Sequence, residues 1–198
     1  MSTPAFARVA IIGIGLIGSS LARVLRRDGL AGEIVACARR QETLDTVRAL
    51  KLADQCTTNP AEAARDADLV VLAVPLSSYV EITRQIAGVL RPGTILTDVG
   101  SVKGMVVRDL APLIPAGVHL VPGHPVAGTE HSGPAAGFAE MFQERWCILT
   151  PPPGTDPQAV ERIRAMWQSA GMKVVMMEAA HHDKVLAITS HLPHLIAY

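Results

Sequence analysis

The sequence predicts an α/β fold of the Rossmann type, built on a doubly wound, mostly parallel sheet. Apolar runs alternate with segments of helical period, and a glycine-rich turn follows the first of these runs. In the predicted strand 68–75 every residue after Asp68 is apolar, without alternation, which is typical of a strand buried on both faces of a parallel sheet. Strands separated by single helices form βαβ crossovers, so helices are expected on both faces of the sheet.

The elements follow one another in a regular order. The predicted helix over 157–170 is expected to have Thr155 or Asp156 as its N-cap and Pro157 at its first position. From Ala179 the period is helical and no strand follows, so residues 1–178 are expected to form the dinucleotide-binding domain and 179–198 the first helix of a helical domain, incomplete here. Strands are predicted over residues 8–15, 33–38, 68–75, 94–100, 118–123, 145–151 and 173–177, and helices over 16–27, 41–50, 78–90, 102–114 and 157–170.

The composition favours a protein that acts on small molecules. Lysine plus arginine equals aspartate plus glutamate at 18 each, and only 4% of the residues are aromatic, which argues against a nucleic-acid partner. No apolar run reaches the roughly 18 residues of a membrane span, so no membrane partner is expected. Cys37, Cys56 and Cys147 are too scattered for a disulfide framework and indicate reduced thiols in the cytoplasm.

The glycine-rich turn has the GxGxxG pattern of dinucleotide-binding sites. Gly13 permits the tight turn, Gly15 lets the backbone approach a pyrophosphate, and Gly18 lets the helix pack closely on the strand. The helix that opens at Leu16 and Ile17 offers unpaired N–H groups to the phosphates. Since the pattern lies between a predicted strand and a predicted helix, it predicts a dinucleotide site rather than a turn that binds nothing.

The end of the second strand bears on the choice of dinucleotide. An acidic residue there accepts the ribose 2′-hydroxyl of NAD, whereas arginine suits the 2′-phosphate of NADP. The sequence has Ala38, Arg39 and Arg40 and no acid at this point, which favours NADP. The alternative is that both arginines are a solvated helix start and that other contacts hold NAD.

Ligands of a doubly wound sheet collect beyond the carboxyl ends of its strands. Pro75, Ser101 and His124 each come just past a predicted strand, so all three are expected at one edge with the glycine turn. An imidazole beside the nicotinamide could accept a proton from an alcohol, so His124 is the candidate base. Ser101 could hydrogen-bond the same hydroxyl and Lys103 could hold an anionic group. Otherwise His124 is a loop residue fixed by its proline neighbour.

The other histidines are weaker candidates for chemistry. His131 is expected at the surface or at a substrate gate, and His181 and His182 at a solvated helix start. Ser190 and His191 lie near a proline that would kink the last helix, which often happens where side chains reach a site. There is no HExxH and no carboxylate at ligand spacing, so no metal is expected.

Five motifs together carry a family resemblance: "GIGLIGSSLA", "VVLAVP", "TDVGSVKG", "GHPVAGTEHSG" and "SHLPHLIAY". In this order and spacing they resemble the prephenate dehydrogenase (TyrA) family of tyrosine biosynthesis, which includes arogenate and cyclohexadienyl dehydrogenases. The resemblance implies NAD(P)-dependent oxidative decarboxylation of prephenate or arogenate. By position it implies that His124 is the catalytic histidine and that Ser101 contacts the ring hydroxyl. Substrate-binding roles are implied for Thr129, Glu130, Ser190 and His191.

The resemblance also implies a homodimer formed through a helical domain that is almost entirely missing from these residues. Two alternatives remain on the sequence alone. One is a dinucleotide-binding module without catalysis, and the other is a relative of the β-hydroxyacid dehydrogenases that would use Lys184. "GHPVAGTE" favours the dehydrogenase of tyrosine biosynthesis over both.

Overall fold

The computed structural model of the chain describes residues 3–188. A parallel sheet in the order β3-β2-β1-β4-β5-β6 forms the centre of the molecule, and every strand pair in it is parallel. The order reverses between β1 and β4, as in a Rossmann fold, so the predicted fold class is confirmed. The strands are β1 (Phe6–Ile12), β2 (Ala31–Cys37), β3 (Gln55–Thr57), β4 (Leu69–Leu72), β5 (Ile95–Asp98) and β6 (His119–Leu120).

Helices connect these strands and continue beyond them. The prediction for the helix at Pro157 is confirmed, since the Asp156 side chain accepts a hydrogen bond from the N–H of Gln158 at 2.9 Å and caps it. The chain has a helix from Ala179 as expected, and it packs against the helix Lys103–Leu110. The helices are α1 (Leu16–Arg27), α2 (Gln41–Ala49), α3 (Pro60–Ala64), α4 (Tyr79–Ala87), α5 (Lys103–Leu110), α6 (Pro157–Ser169) and α7 (Ala179–Leu186).

A second, three-stranded sheet departs from the sequence prediction. It contains β7 (Gly123–Pro125), β8 (Trp146–Leu149) and β9 (Lys173–Met176), with β7 antiparallel to β8. The expectation of one strand over 118–123 was wrong, because the chain leaves the large sheet after Leu120 and begins a new pairing at Gly123. The short elements β3 and α3 were not predicted at all.

The core lies on both faces of the large sheet. In β1, Val9 and Ile11 contribute to one apolar cluster while Ala10 and Ile12 contribute to the other, and all four are buried. β4 divides in the same way. Two covered faces explain why these strands lack a polar alternation.

A close contact fixes the segment that follows β7 against α1. The Ser20 hydroxyl of α1 accepts a hydrogen bond from the N–H of Phe138 at 3.0 Å. A Cβ at Gly137 would lie 2.2 Å from the Ser19 hydroxyl and 2.9 Å from the backbone nitrogen of Ser20, so a side chain there would force α1 to shift. Within residues 3–188, no helix combines the length and the apolar character that crossing a membrane requires.

Candidate active site

The glycine turn between β1 and α1 has the geometry that its pattern predicts. Gly13 has a φ of +100°, and a Cβ there would lie 2.3 Å from the carbonyl oxygen of Ala73. A Cβ at Gly18 would lie 2.1 Å from the carbonyl oxygen of Gly13. These two glycines therefore serve the packing of the protein itself. Gly15 differs, because a Cβ there would meet no atom within 4 Å.

The open side of Gly15 lies at the N-terminus of α1, where a pyrophosphate would bind. Gly15 is the N-cap, no side chain caps the helix, and its first turn contains no acidic residue. The N–H groups of the first turn, including those of Leu16 and Ile17, have no partner inside the helix. An uncapped helix end beside a glycine cradle suits the phosphates of a dinucleotide, so the residues fit such a cofactor.

The predicted residues on either side of this turn are accessible. Arg39 and Arg40 follow β2 and are exposed, with Arg40 as the N-cap of α2. Pro75 follows β4 and is exposed at the start of a short 3₁₀ turn. Because β1, β2 and β4 are adjacent strands, these side chains lie at the same edge of the sheet as the glycine turn.

Asp98, the last residue of β5, joins three segments at this edge. Its carboxylate accepts hydrogen bonds from the N–H of Gly100 at 2.8 Å, the N–H of Gly123 at 3.2 Å and Nζ of Lys103 at 2.5 Å. Lys103 also donates to the carbonyl oxygen of Gly123 at 2.7 Å. The expectation that Lys103 could hold an anionic ligand was wrong, because its ammonium group is buried against Asp98.

His124 lies at the centre of β7, directly beyond the end of β5. It is 7% exposed and lies in a strand, so the alternative that it is only a loop residue fixed by its proline neighbour was wrong. The pairing of Asp98 with Gly123, its neighbour, holds this strand against the large sheet. The structure therefore brings His124 to the edge that carries the glycine turn.

His182 of α7 contacts His124, which the sequence did not predict. Nδ1 of His124 and Nε2 of His182 lie 2.9 Å apart, and the two rings meet edge to face. His182 is completely buried, so its assignment to a solvated helix start was wrong; only His181 is exposed there. The physical reason is that α7 packs its His182 face against α5 and β7.

Asp183 connects His182 to the N-terminus of α5. Its Oδ1 lies 2.8 Å from Nδ1 of His182 and accepts the N–H of Lys103 at 2.8 Å, while Oδ2 accepts the N–H of Gly104 at 2.8 Å. α5 has no cap of its own, since its N-cap is Val102. Asp183 therefore caps α5 from another helix.

Burial and these hydrogen bonds determine the ionisation states of Asp183 and His182. Burial opposes a charge on Asp183, but the hydrogen bonds from Lys103, His182 and Gly104 outweigh it and lower the pKa of the carboxyl. Burial lowers the pKa of His182, and the attraction of Asp183 only partly opposes this. At neutral pH the site thus combines an ionised carboxylate with a neutral imidazole.

The remaining predicted residues differ in position. Ser101 is exposed in the turn between β5 and α5, two residues before Lys103. Thr129 and Glu130 are exposed in the loop after β7, and His131 beside them is exposed as expected. Ser190 and His191 lie outside the described residues. Within residues 3–188 no three His, Cys, Asp or Glu side chains form a group that could hold a metal.

Comparisons with known proteins show which family the chain resembles. The profile of the prephenate dehydrogenase nucleotide-binding domain matches residues 21–176. Cyclohexadienyl dehydrogenase of Zymomonas mobilis is 44% identical over 193 residues, which are 98% of this chain and 66% of that protein. Prephenate dehydrogenase of Bacillus subtilis is 31% identical over 96% of this chain and 51% of its own length. The chain thus spans about half to two thirds of these curated relatives.

Solved structures of prephenate and arogenate dehydrogenases are also similar to this chain. A crystal structure of prephenate dehydrogenase from Aquifex aeolicus with hydroxyphenyl propionate and NAD⁺ superposes with a TM-score of 0.90 at 32% identity, covering 100% of this chain and 68% of that one. Arogenate dehydrogenase of Synechocystis gives a TM-score of 0.87 at 30% identity, covering 94% of this chain and 65% of that one. The chain belongs to the prephenate dehydrogenase family, and its residues 21–176 match the nucleotide-binding domain of that family.

Proposed function

We propose that the protein oxidatively decarboxylates prephenate, arogenate or both, using a nicotinamide dinucleotide. The products would be 4-hydroxyphenylpyruvate from prephenate and tyrosine from arogenate, with CO2 and reduced nicotinamide. The observation that carries the proposal is His124, a buried histidine whose strand is fixed to the end of β5 at the edge that holds the glycine turn. A protein that only binds a dinucleotide has no use for such a base.

The bound nicotinamide would supply a hydride acceptor at this edge. His124 would accept the proton of the ring hydroxyl at its Nε2 atom, because Nδ1 is already engaged by His182. Ser101 would hydrogen-bond the same hydroxyl and hold it toward the imidazole. A single general base of this kind contributes about 10²–10⁴-fold to the rate.

The proton on His124 can return to the same oxygen later in the reaction. Loss of hydride and of the hydroxyl proton converts the carbinol carbon into a ketone, and loss of the ring carboxylate as CO2 then gives an aromatic ring whose oxygen is a phenolate. Protonation of this phenolate by His124 restores the neutral base. Aromatisation drives the reaction, so the protein needs mainly to orient its substrate and to hold one proton.

Further residues complete the proposed pocket. Thr129 and Glu130 would lie at its mouth, in keeping with their exposure in the loop after β7. Ser190 and His191 would contact the substrate from the last helix, and a helical domain beyond it would form a homodimer. We place the protein in the cytoplasm, in keeping with its free cysteines Cys37, Cys56 and Cys147.

We propose NADP as the preferred cofactor, with NAD as the alternative. The support is the pair of exposed arginines, Arg39 and Arg40, beyond β2, where residues 38–40 include no acid of the kind that accepts a ribose 2′-hydroxyl. Arg39 and Arg40 would hold the 2′-phosphate, while Gly15 and the first turn of α1 would hold the pyrophosphate in the turn that Gly13 and Gly18 shape.

The test is an assay of the full-length protein with prephenate and with arogenate, each with NAD⁺ and with NADP⁺. We expect an increase in absorbance from reduced nicotinamide with at least one substrate. Dinucleotide binding without turnover in all four combinations would contradict the proposed function and leave a binding module. Turnover with NAD⁺ alone would contradict the cofactor preference only.

A further inference from the structure

We propose that His182 and Asp183 are positioning residues that fix the tautomer of His124. The proposal rests on the function proposed above, because it assigns how the base of that reaction is prepared. Three side chains form one line, from the Asp183 carboxylate through both nitrogens of His182 to Nδ1 of His124. Neither His182 nor Asp183 would touch the substrate.

The line begins at a group whose protonation is fixed. Both oxygens of Asp183 accept backbone N–H groups, those of Lys103 and Gly104. An ionised carboxylate can only accept hydrogen bonds. The hydrogen between Asp183 and His182 is therefore on Nδ1 of His182.

The rest of the line follows from the chemistry of imidazole. A neutral imidazole with a hydrogen on one nitrogen has a lone pair on the other, so Nε2 of His182 accepts. The hydrogen between the two rings must then be on Nδ1 of His124, across the 2.9 Å contact. Neutral His124 consequently has its lone pair on Nε2, which is the form that a general base for the substrate hydroxyl requires.

The same line stabilises His124 after it has accepted a proton. The imidazolium would donate from Nδ1 to a neutral and buried partner, His182, whose other nitrogen is bound to a carboxylate. The charged groups that influence His182 are Asp183, Asp98 and Lys103. The charge of Lys103 is neutralised by Asp98, whose Oδ2 lies 2.5 Å from Nζ. The negative charge of Asp183 therefore sets which nitrogens of His182 and His124 donate and which accept.

The first experiment measures the tautomers directly and needs no turnover. Long-range ¹H–¹⁵N NMR spectra of the full-length protein with ¹⁵N-labelled histidine distinguish protonated from unprotonated ring nitrogens, and His124→Asn and His182→Phe assign the signals. We expect Nδ1–H on both rings at neutral pH. In Asp183→Ala, which removes the carboxylate that accepts from His182, we expect the Nε2–H form of His124 to appear beside the Nδ1–H form. Nε2–H alone on His124 in the unmodified protein, or Nδ1–H alone in Asp183→Ala, would overturn the proposal.

The second experiment measures kinetics with the substrate and cofactor that give turnover. His182→Phe keeps a buried ring but removes the acceptor, and we expect kcat to fall about 10- to 100-fold while dinucleotide affinity stays within about twofold. The acidic limb of the pH profile should move to lower pH, because the imidazolium of His124 loses its acceptor. His182→Gln restores an acceptor and should recover part of kcat. The exposed neighbour gives the matched control, His181→Gln, which should behave as the unmodified protein.

The two experiments separate this proposal from the proposed function. If His182→Phe is folded and as active as His181→Gln, with an unchanged acidic limb of the pH profile, the positioning role of His182 is refuted. The proposed dehydrogenase function is then unaffected. If the unmodified protein shows no turnover but the tautomer of His124 changes in Asp183→Ala as expected, the positioning role of His182 and Asp183 stands and the proposed reaction is refuted. Circular dichroism of each variant shows whether it is folded.

Discussion

Lys103 and Asp98 form an ion pair that is fully withdrawn from solvent, with Nζ 2.5 Å from Oδ2 and side chains 0% and 1% exposed. Burial lowers the pKa of Lys103, and the attraction of Asp98 opposes that effect. Since the same carboxylate accepts the N–H groups of Gly100 and Gly123, the pair joins the ends of β5, α5 and β7. The strand of His124 therefore depends on it for its position.

Removing the cation of this pair should destabilise the fold strongly. In Lys103→Met the carboxylate of Asp98 loses its buried counter-charge, and the free energy of unfolding should fall by about 3–5 kcal/mol. Urea unfolding measures the change. Arg48→Met is the matched control, because its ion pair with Asp45 is exposed and should contribute less than about 1 kcal/mol. Equal small losses in both variants would contradict the role given to the buried pair.

Alanine substitutions at the three glycines of the turn should affect either protein stability or dinucleotide binding, depending on the position. Gly15→Ala meets no protein atom, so its free energy of unfolding should change by less than about 1 kcal/mol. The added methyl group would lie where the pyrophosphate approaches, and dinucleotide affinity should fall about 10- to 100-fold. Gly13→Ala and Gly18→Ala should instead destabilise the protein, since each Cβ would overlap a backbone oxygen. Calorimetric titration and urea unfolding measure the two effects, and unchanged affinity in Gly15→Ala would refute the phosphate site.

Loss of the candidate base should affect turnover and not cofactor binding. His124→Asn removes the proton acceptor, and kcat should fall about 10²–10⁴-fold while the Kd of the dinucleotide changes little. Steady-state kinetics and fluorescence titration give the two quantities. A parallel loss of both would mean that His124 serves only the packing of β7.

The arginines beyond β2 should set the preference between cofactors. Arg39→Ala should raise the Kd of NADP by about tenfold more than that of NAD, because only NADP has the 2′-phosphate. The control is Arg84→Ala, which removes an exposed arginine of α4. An unchanged ratio of the two Kd values in Arg39→Ala would refute the NADP preference.

Asp54 should make part of the stability depend on pH. Burial opposes its charge, but the N–H of Ile34 and the guanidinium of Arg26 outweigh this and lower the pKa of the carboxyl. Because the pKa of Asp54 is lower in the folded state, its ionised carboxylate stabilises the fold at pH values above the unfolded pKa of about 3.9. This stabilisation is lost as the pH falls through the folded pKa. Asp54→Asn should therefore cost about 1 kcal/mol at pH 7, a modest amount because the ion pair is exposed to solvent.

Urea unfolding of Asp54→Asn and the unmodified protein between pH 7 and pH 2.5 measures this dependence. The difference between the two proteins should persist down to about pH 4 and shrink below it. Asp45→Asn, which removes an exposed carboxylate of α2, is the control. A difference that grows as the pH falls would contradict the assignment.

The large sheet and its glycine turn could be predicted because their signals are local. β1 from Val9 onward and the whole of β4 are continuous apolar runs, and the glycine pattern from Gly13 to Gly18 indicates the backbone conformation of its own turn. β3 has only three residues, too few for a period to appear. α3 has five residues, but Asn59 before Pro60 was an available signal, since the Asn59 side chain caps that helix.

The contact of His124 with His182 could not be read from the chain because it depends on packing. Adjacent histidines at 181 and 182 look alike, and only the position of α7 against α5 decides which one is buried. One indirect signal exists. The turn that leads into α5 offers the helix only Val102 as its N-cap, so its first N–H groups need an acceptor from elsewhere, and Asp183 supplies it.

The contact of Gly137 with α1 has a consequence for the loop that carries Thr129 and Glu130. One end of that loop is held in the sheet of His124, and the other is held on the helix whose N-terminus faces the glycine turn. A segment held at both ends takes its position from both anchors. The placement of Thr129 and Glu130 therefore depends on β7 and on α1 together.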